Sequence, residues 1–374
     1  MKIRAAVTRA PHAPMSLETL AIEAPRADEV LIRISAVGIC HTDIAMRDQL
    51  FPVPQPIVLG HEASGVIEAV GSDAAGLAVG DHVVMSYATC GNCAQCKCAA
   101  YPYCERWAPL NFGGARLDGS TSLSCGTERV HSHFFGQCSF AEYAICSARQ
   151  AVKVPKDAPL ELLGPLGCGV TTGAGAVIRA LDVGAGESIA VFGVGSVGMS
   201  AVMAARLVGA GTIIAIDFHG SPERAALAEE LGASHVVNAS TGEPEAAIRE
   251  ILPGGVRFAL DTTARPGRIR AAIASLSARG TCGLAGASAP ADVVSFSPMD
   301  VMSNGKSVRG IVEGEIVPAI LIPQLIELHR QGRFPFDKLV KFYPFEAINE
   351  AIHDTETGKT VKAILRMREN SISS

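Results

Sequence analysis

The chain has 374 residues, 48% of them hydrophobic and 18% charged, with a formal net charge of −5. That length exceeds what one hydrophobic core usually holds, so two domains are expected, and an acidic balance without any basic block excludes a general nucleic-acid binder and points to small-molecule partners. Met1 to Leu20 carries no apolar h-region, and the longest apolar stretch, Ala201 to Ile216, is broken by Arg206, Gly209 and Gly211, so a cytoplasmic protein with no membrane association is expected.

The first half reads as β-rich. Val30 to Val37 and Ser64 to Val70 are strand candidates, and Gly80-Asp81 forms a turn before the apolar Val83-Val84-Met85. Asn111 to Gln137 is Gly/Ser-rich without periodicity and is expected to be an irregular surface lobe. From about Ala174, buried strands alternate with amphipathic helices: strand Ser188 to Phe192, helix Met199 to Val208, strand Thr212 to Ile216, helix Pro222 to Leu231. That alternation predicts an α/β unit with a doubly wound parallel sheet. Beyond Gly310 the pattern weakens. Pro318 to Arg330, with Pro323 inside it, and Phe345 to Thr355 read as helices that return to the first domain.

Three constellations carry chemistry. Cys90, Cys93, Cys96 and Cys104 follow one another at C-x2-C-x2-C-x7-C; soft thiolates converging from one short loop suit a closed tetrahedral structural zinc. The spacing is not that of an iron–sulfur protein. Without a secretory signal the metal reading outweighs disulfides, leaving Cys98, Cys125, Cys138, Cys146 and Cys282 as free thiols. Second, Gly193-Val194-Gly195-Ser196-Val197-Gly198 directly follows the apolar Ile189-Ala190-Val191-Phe192 and opens a helix, as a pyrophosphate site at a helix N-terminus requires. Asp217 ends the next strand, 19 residues after Gly198, where a carboxylate accepts the ribose hydroxyls and repels a 2′-phosphate. NAD is therefore favoured, while Arg224 keeps NADP open. The five residues Phe218 to Pro222 lengthen the loop after Asp217 and weaken its assignment to the ribose. Third, Cys40, His61 and Cys168 are scattered as catalytic ligands often are, and two sulfurs with one imidazole leave a fourth tetrahedral position open. From spacing alone a buried structural cysteine is the commoner fate of a lone one, and a core histidine the commoner fate of His61.

Taken together, Gly38-Ile39-Cys40-His41-Thr42-Asp43, Gly60-His61-Glu62, the four-cysteine run, Gly164-Pro165-Leu166-Gly167-Cys168-Gly169 and the glycine fingerprint resemble, in order and across essentially the whole chain, the zinc-containing medium-chain alcohol dehydrogenases. Phe134-Phe135-Gly136-Gln137, Thr171-Thr172-Gly173-Ala174-Gly175-Ala176 and Gly332-Arg333-Phe334-Pro335-Phe336-Asp337-Lys338 look most like the bacterial aryl-alcohol (benzyl alcohol) members, with terpenoid allylic-alcohol (geraniol) members close behind.

The resemblance implies a GroES-like β-rich catalytic domain over residues 1–170, with a structural zinc lobe at about 88–106. A Rossmann NAD-binding domain over 171–312 and a return to the catalytic domain over 313–374 complete it. It implies two zinc ions per chain, one held by Cys40, His61 and Cys168 in the interdomain cleft and one by Cys90, Cys93, Cys96 and Cys104, and NAD as the other cofactor. The catalytic zinc would polarise an alcohol oxygen, and hydride would pass to the nicotinamide. Thr42 matches the proton-relay hydroxyl, Asp43 the carboxylate that orients His61, and Glu62 the carboxylate near the metal; the rival for Glu62 is an internal ion pair with Lys362. His41 and Lys362 match phosphate-side residues, Thr172 a contact to the nicotinamide carboxamide, and Gly193, Gly195, Gly198 and Asp217 the dinucleotide fingerprint. Ala45 stands where relatives with an extended relay carry histidine, so the proton route shortens. Tyr87, Phe51, Trp107 and Phe112 are candidate pocket-wall aromatics. The expected activity is oxidation of an aromatic primary alcohol or, alternatively, a terpenoid allylic alcohol, by a homo-oligomer. A zinc-free quinone reductase would lack the cysteine clusters, and a non-enzymatic zinc- or nucleotide-binding protein would need no open metal site beside a cofactor domain.

Overall fold

The computed structural model describes residues 1–367, which divide into two compact units. The first comprises Met1–Cys168, Val317–Ile326 and the segment from Leu339 onward. It contains a five-stranded sheet, in the order Ile57–Val58, Lys2–Thr8, Ser16–Ile22, Leu123–Cys125 and Glu128–Val130. A seven-stranded sheet runs Ala151–Lys153, His82–Met85, Glu62–Val70, Glu29–Gly38, Lys362–Arg366 and Val340–Pro344, with Tyr143–Ser147 also paired to Glu29–Gly38.

Glu29–Gly38 is central because its apolar residues are buried along nearly its full length, as a strand covered on both faces demands. Its antiparallel register sets Gly38 opposite Glu62 on one side and Ile364 on the other. The chain leaving this strand therefore delivers Cys40 next to the start of the strand that follows His61, with Lys362 two residues from Gly38's other partner. A Cβ on Gly38 would lie 2.3 Å from Glu62 Oε2, so only glycine permits that approach.

Asn111 to Gln137 departs from the irregular lobe expected of it. Leu123–Cys125 and Glu128–Val130 form a hairpin that extends the five-stranded sheet. Nearby, Arg116 donates to both carboxylate oxygens of the buried Glu29 at 2.5 and 2.8 Å. His133 Nε2 stands 3.8 Å from Glu29, too far for a hydrogen bond, so Arg116 is the partner that fixes the segment. Strands of three residues are too short to show a period, which is why composition alone suggested a loop.

The second unit, Gly169–Ile316 with Glu327–Lys338, is built on a six-stranded parallel sheet. Its order is His235–Asn238, Thr212–Asp217, Ser188–Phe192, Val256–Asp261, Leu276–Leu284 and Ser307–Gly310. Ile189, Ala190, Val191 and Phe192 have no exposed surface, as befits the middle of a doubly wound sheet. The strand order reverses between Ser188–Phe192 and Val256–Asp261, so a ligand crevice is expected at the carboxyl end of Ser188–Phe192. The following helix starts at Ser196, three residues before the apolar pattern begins, because Gly195 supplies an extended N-cap. Glu327–Lys338 was expected to return with the rest of 313–374, but it belongs to the second unit. Phe334 and Phe336 are fully buried, and Lys338 pairs with Glu230.

Candidate metal centres and dinucleotide site

In the first unit, Cys40 caps the helix His41–Arg47, and one donor atom each from Cys40, His61, Glu62 and Cys168 lie within 4.8 Å of one another. Asp43, four residues upstream of the helix end, organises the group. Its Oδ1 accepts from His61 Nδ1 at 2.9 Å and from the Gly60 amide at 3.0 Å, and its Oδ2 accepts from the Cys40 amide at 3.0 Å. Asp43 thus completes a capping box with the N-cap Cys40 and also orients His61. With Nδ1 committed, His61 Nε2 is buried and has no hydrogen-bond partner among the described residues. An orphaned ring nitrogen aimed at two sulfurs is what a metal ion would satisfy.

The electrostatics agree with a cation there. Burial would push the His61 imidazole down, yet the Asp43 carboxylate, by charge and hydrogen bond, holds it well above its ordinary value. A ring that so favours positive charge at Nε2 also favours a metal ion. Cys40 is held well below the usual thiol range by its hydrogen bond to Cys168, against burial, so its sulfur is available as thiolate.

Glu62 and Lys362 form the ion pair considered as a rival. Lys362 Nζ donates to Glu62 at 2.9 and 2.8 Å and to Ile39 O at 3.1 Å, and both side chains are buried. Burial pushes Glu62 up to about 7, Lys362 opposing it. The Lys362 ammonium is thus engaged with Glu62 and Ile39 O inside the first unit. Thr42 is half-buried on the helix turn after Cys40, and His41 is exposed at its first position.

Around His61 the structure gathers aromatics. Phe135 stacks on the imidazole at 4.3 Å and 20° between planes, and Phe134 meets it edge-on at 5.4 Å. Trp107 and Phe112 contact Phe135 at 6.2 and 5.4 Å, and Tyr87 lies 5.3 Å from Trp107. Among the pocket-wall candidates Tyr87, Trp107 and Phe112 join this cluster, while Phe51 makes no ring contact among the described residues. Phe134, Phe135 and Gln137, whose Nε2 donates to His61 O at 3.0 Å, went unassigned beforehand. Their signal was the Phe-Phe-Gly-Gln run, whose left-handed turn (φ +50° at Phe135, +67° at Gly136) folds both rings onto His61.

The four-cysteine run closes as its spacing suggested. The sulfurs of Cys90, Cys93, Cys96 and Cys104 lie within 4.8 Å of one another, and Cys90 and Cys96 are 3.8 Å apart. Zinc–sulfur bonds of about 2.3 Å set tetrahedral sulfurs roughly 3.8 Å apart, so the cage fits zinc. Hydrogen bonds from the backbone amides of Glu105 and Cys96 bring Cys93 down to about 6, supplying thiolate at neutral pH. All eleven cysteines are free of disulfides.

In the second unit, a Cβ on Gly198 would lie 1.8 Å from Gly193 O, so the turn closes only with glycine there. At Gly195 the missing Cβ faces open space, with nothing within 4 Å. Protein packing does not require that glycine; close backbone approach of a pyrophosphate would. Asp217 is buried, its Oδ1 accepting from the His219 amide at 2.9 Å and its Oδ2 from the Ser221 amide at 2.8 Å. The long loop thus folds back onto the carboxylate, and each oxygen keeps a lone pair for a ribose hydroxyl. Thr172, on the helix Gly169–Gly175, is buried and donates to Glu313 Oε2 at 3.3 Å.

Known proteins bear on these sites. Residues 26–156 match the alcohol dehydrogenase GroES-like domain, and residues 196–329 match the zinc-binding dehydrogenase domain. A geraniol dehydrogenase of Castellaniella defragrans is 47% identical over 97% of both chains. The crystal structure of benzyl alcohol dehydrogenase from Acinetobacter calcoaceticus is 46% identical, covers 98% of this chain and 100% of its own, and superposes with a TM-score of 0.95. An alcohol dehydrogenase zinc-binding domain protein from Burkholderia ambifaria is 54% identical over 99% of this chain and 100% of its own, with a TM-score of 0.96.

Proposed function

This chain belongs to the zinc-containing medium-chain alcohol dehydrogenases, and from that membership we propose that it reversibly oxidises an aromatic primary alcohol of the benzyl type to its aldehyde, with NAD as hydride acceptor. The observation that carries the substrate class is the aromatic cluster packed on His61. Rings surrounding a metal ligand offer edge-to-face and offset contacts to an aryl group whose carbinol reaches the metal. The 47% identity to a geraniol dehydrogenase supports a second reading, an allylic terpenoid alcohol, whose π-system next to the carbinol suits the same rings.

Cys40, His61 and Cys168 would hold the catalytic zinc, and Cys90, Cys93, Cys96 and Cys104 the structural one, two ions per chain. A zinc ion in the first set supplies Lewis acidity toward an alcohol oxygen. Asp43 fixes His61 in the tautomer that leaves Nε2 free to ligate, and Phe134 and Phe135 shield the imidazole from water. The Thr42 hydroxyl would accept the alcohol proton while passing its own to the cofactor ribose and water, since Ala45 offers no further relay group. Gly193, Gly195 and Gly198 cradle the pyrophosphate, Asp217 accepts the adenosine ribose hydroxyls and disfavours a 2′-phosphate, and Thr172 lies toward the nicotinamide.

No helix among the described residues is long and apolar enough to cross a membrane, and we place the enzyme in the cytoplasm. Assembly into a homo-oligomer is supported by the exposed edge strand Ser307–Gly310 and the exposed Val293, Phe296, Met299 and Met302. An absorbance assay coupled to NAD, run over benzyl alcohol, geraniol, ethanol and a polyol, tests the activity. Turnover of benzyl alcohol above the rest is expected; fast ethanol or polyol oxidation with neither unsaturated alcohol turned over would reject both readings.

A further inference from the structure

Glu313 is a buried acid in an expensive conformation. It adopts φ +48°, and Gly314 and Glu315 follow at +64° and +53°, so three consecutive residues are left-handed and two of them carry side chains. Such turns persist only where the surroundings hold them, and they cluster at ligand clamps. Here the hold is visible. The Thr172 hydroxyl donates to Glu313 Oε2 at 3.3 Å, and a Cβ on Gly175 would meet Gly314 O at 2.4 Å, so the turn is pressed onto the helix Gly169–Gly175. The same helix is pressed against the fingerprint helix, since a Cβ on Gly173 would come 2.1 Å from Val197 O.

The sheet order says which part of a dinucleotide this turn serves. Asp217 ends the strand on one side of the glycine turn, whereas Ser307–Gly310, which leads into Glu313, is the edge strand on the other side. A dinucleotide lying across the carboxyl ends of the strands, with its adenosine at Asp217 and its pyrophosphate at Gly195, carries its nicotinamide toward the half of the sheet that Glu313 follows.

Resting on the reading that a nicotinamide binds here, we propose that Glu313 discriminates between the two oxidation states of the cofactor. The oxidised ring bears a positive charge and the reduced ring none, so a carboxylate fixed in this low-dielectric corner stabilises NAD+ selectively and leaves NADH little affected. Thr172 keeps that carboxylate in place. The consequence is a protein that releases its reduced product more readily than a variant without this charge, while hydride transfer to the bound cofactor becomes less favourable. Opposite charges several ångströms apart in such surroundings account for a preference of about tenfold.

The test is calorimetric titration of the zinc-loaded protein with NAD+, NADH and ADP-ribose, for wild type and Glu313→Gln. ADP-ribose has no nicotinamide and reports whether the adenosine and pyrophosphate site is intact. Expected for Glu313→Gln is a Kd for NAD+ raised about tenfold, with the Kd values for NADH and ADP-ribose within about twofold of wild type. Equal weakening of NAD+ and NADH, or no change in either, overturns the proposal, because a merely structural residue affects both forms alike. If Glu313→Gln loses ADP-ribose binding, Glu313→Asp decides: it keeps the charge and is expected to keep the preference for NAD+, and equal affinity for the two forms refutes the idea. Wild type that binds neither nicotinamide form would instead remove the dinucleotide reading itself.

Discussion

Replacing Asp43 by Asn tests the organisation of the proposed catalytic metal site. The carboxylate accepts three hydrogen bonds, from His61 Nδ1, the Gly60 amide and the Cys40 amide, with no solvent on either side chain of the Asp43–His61 pair. An amide presents one oxygen and one NH2 group. Whichever way it turns, the NH2 faces a buried donor, either the Cys40 amide or the His61 and Gly60 pair, and at least one donor goes unsatisfied at about 1–3 kcal/mol. Loss of the negative charge also lowers the basicity of His61. A combined loss of about 2–3 kcal/mol corresponds to roughly 30- to 150-fold weaker zinc binding, overlapping the 10- to 100-fold usually seen when the partner of a ligating histidine is removed. The assay is competition with a chromophoric chelator, with thermal unfolding followed in parallel. Only one of the two bound ions should become labile, because the four-cysteine cage shares no residue with Asp43. A folded Asp43→Asn protein that surrenders both zinc ions at the wild-type chelator concentration would refute the reasoning.

Lys362→Met strands the buried Glu62 carboxylate, and chemical denaturation is expected to show a loss of about 3–5 kcal/mol; unaltered stability with weakened NAD binding would restore the phosphate-side role. Gly198→Ala sets a methyl group against Gly193 O, so NAD binding by calorimetry should fall at least about tenfold while the four-cysteine zinc is retained; normal NAD affinity would show that the fingerprint does not hold the pyrophosphate. His41→Arg places a permanent cation at the first position of the helix His41–Arg47, and NAD is expected to bind several-fold more tightly at pH 8, with no change if residue 41 is remote from the phosphates.

Much of the fold was legible because it is written in short-range patterns. Ile189 to Phe192 followed by the glycine fingerprint declares a strand, a tight turn and a helix within a few residues, and Thr212 to Asp217 and Pro222 to Leu231 repeat the alternation. The cysteine run was legible for the same reason, since one loop supplies every donor. What escaped depends on contacts far apart in sequence. The Lys362–Glu62 pair could be named from the sequence only as a rival reading, because it forms where the strand Lys362–Arg366 pairs with Glu29–Gly38. The hairpin after Asn111 is too short to show alternation. Phe135 stacks on His61 through a left-handed turn that periodicity does not reveal, and the Thr172–Glu313 bond joins residues 141 positions apart.

Elemental analysis of zinc in the purified wild-type chain and in Cys40→Ser measures the central claim most directly. The two donor sets predict two zinc ions per wild-type chain and one in Cys40→Ser, the ion of the four-cysteine cage. A single ion in both proteins would mean that Cys40, His61 and Cys168 do not hold a metal, and the proposed alcohol chemistry would have no centre.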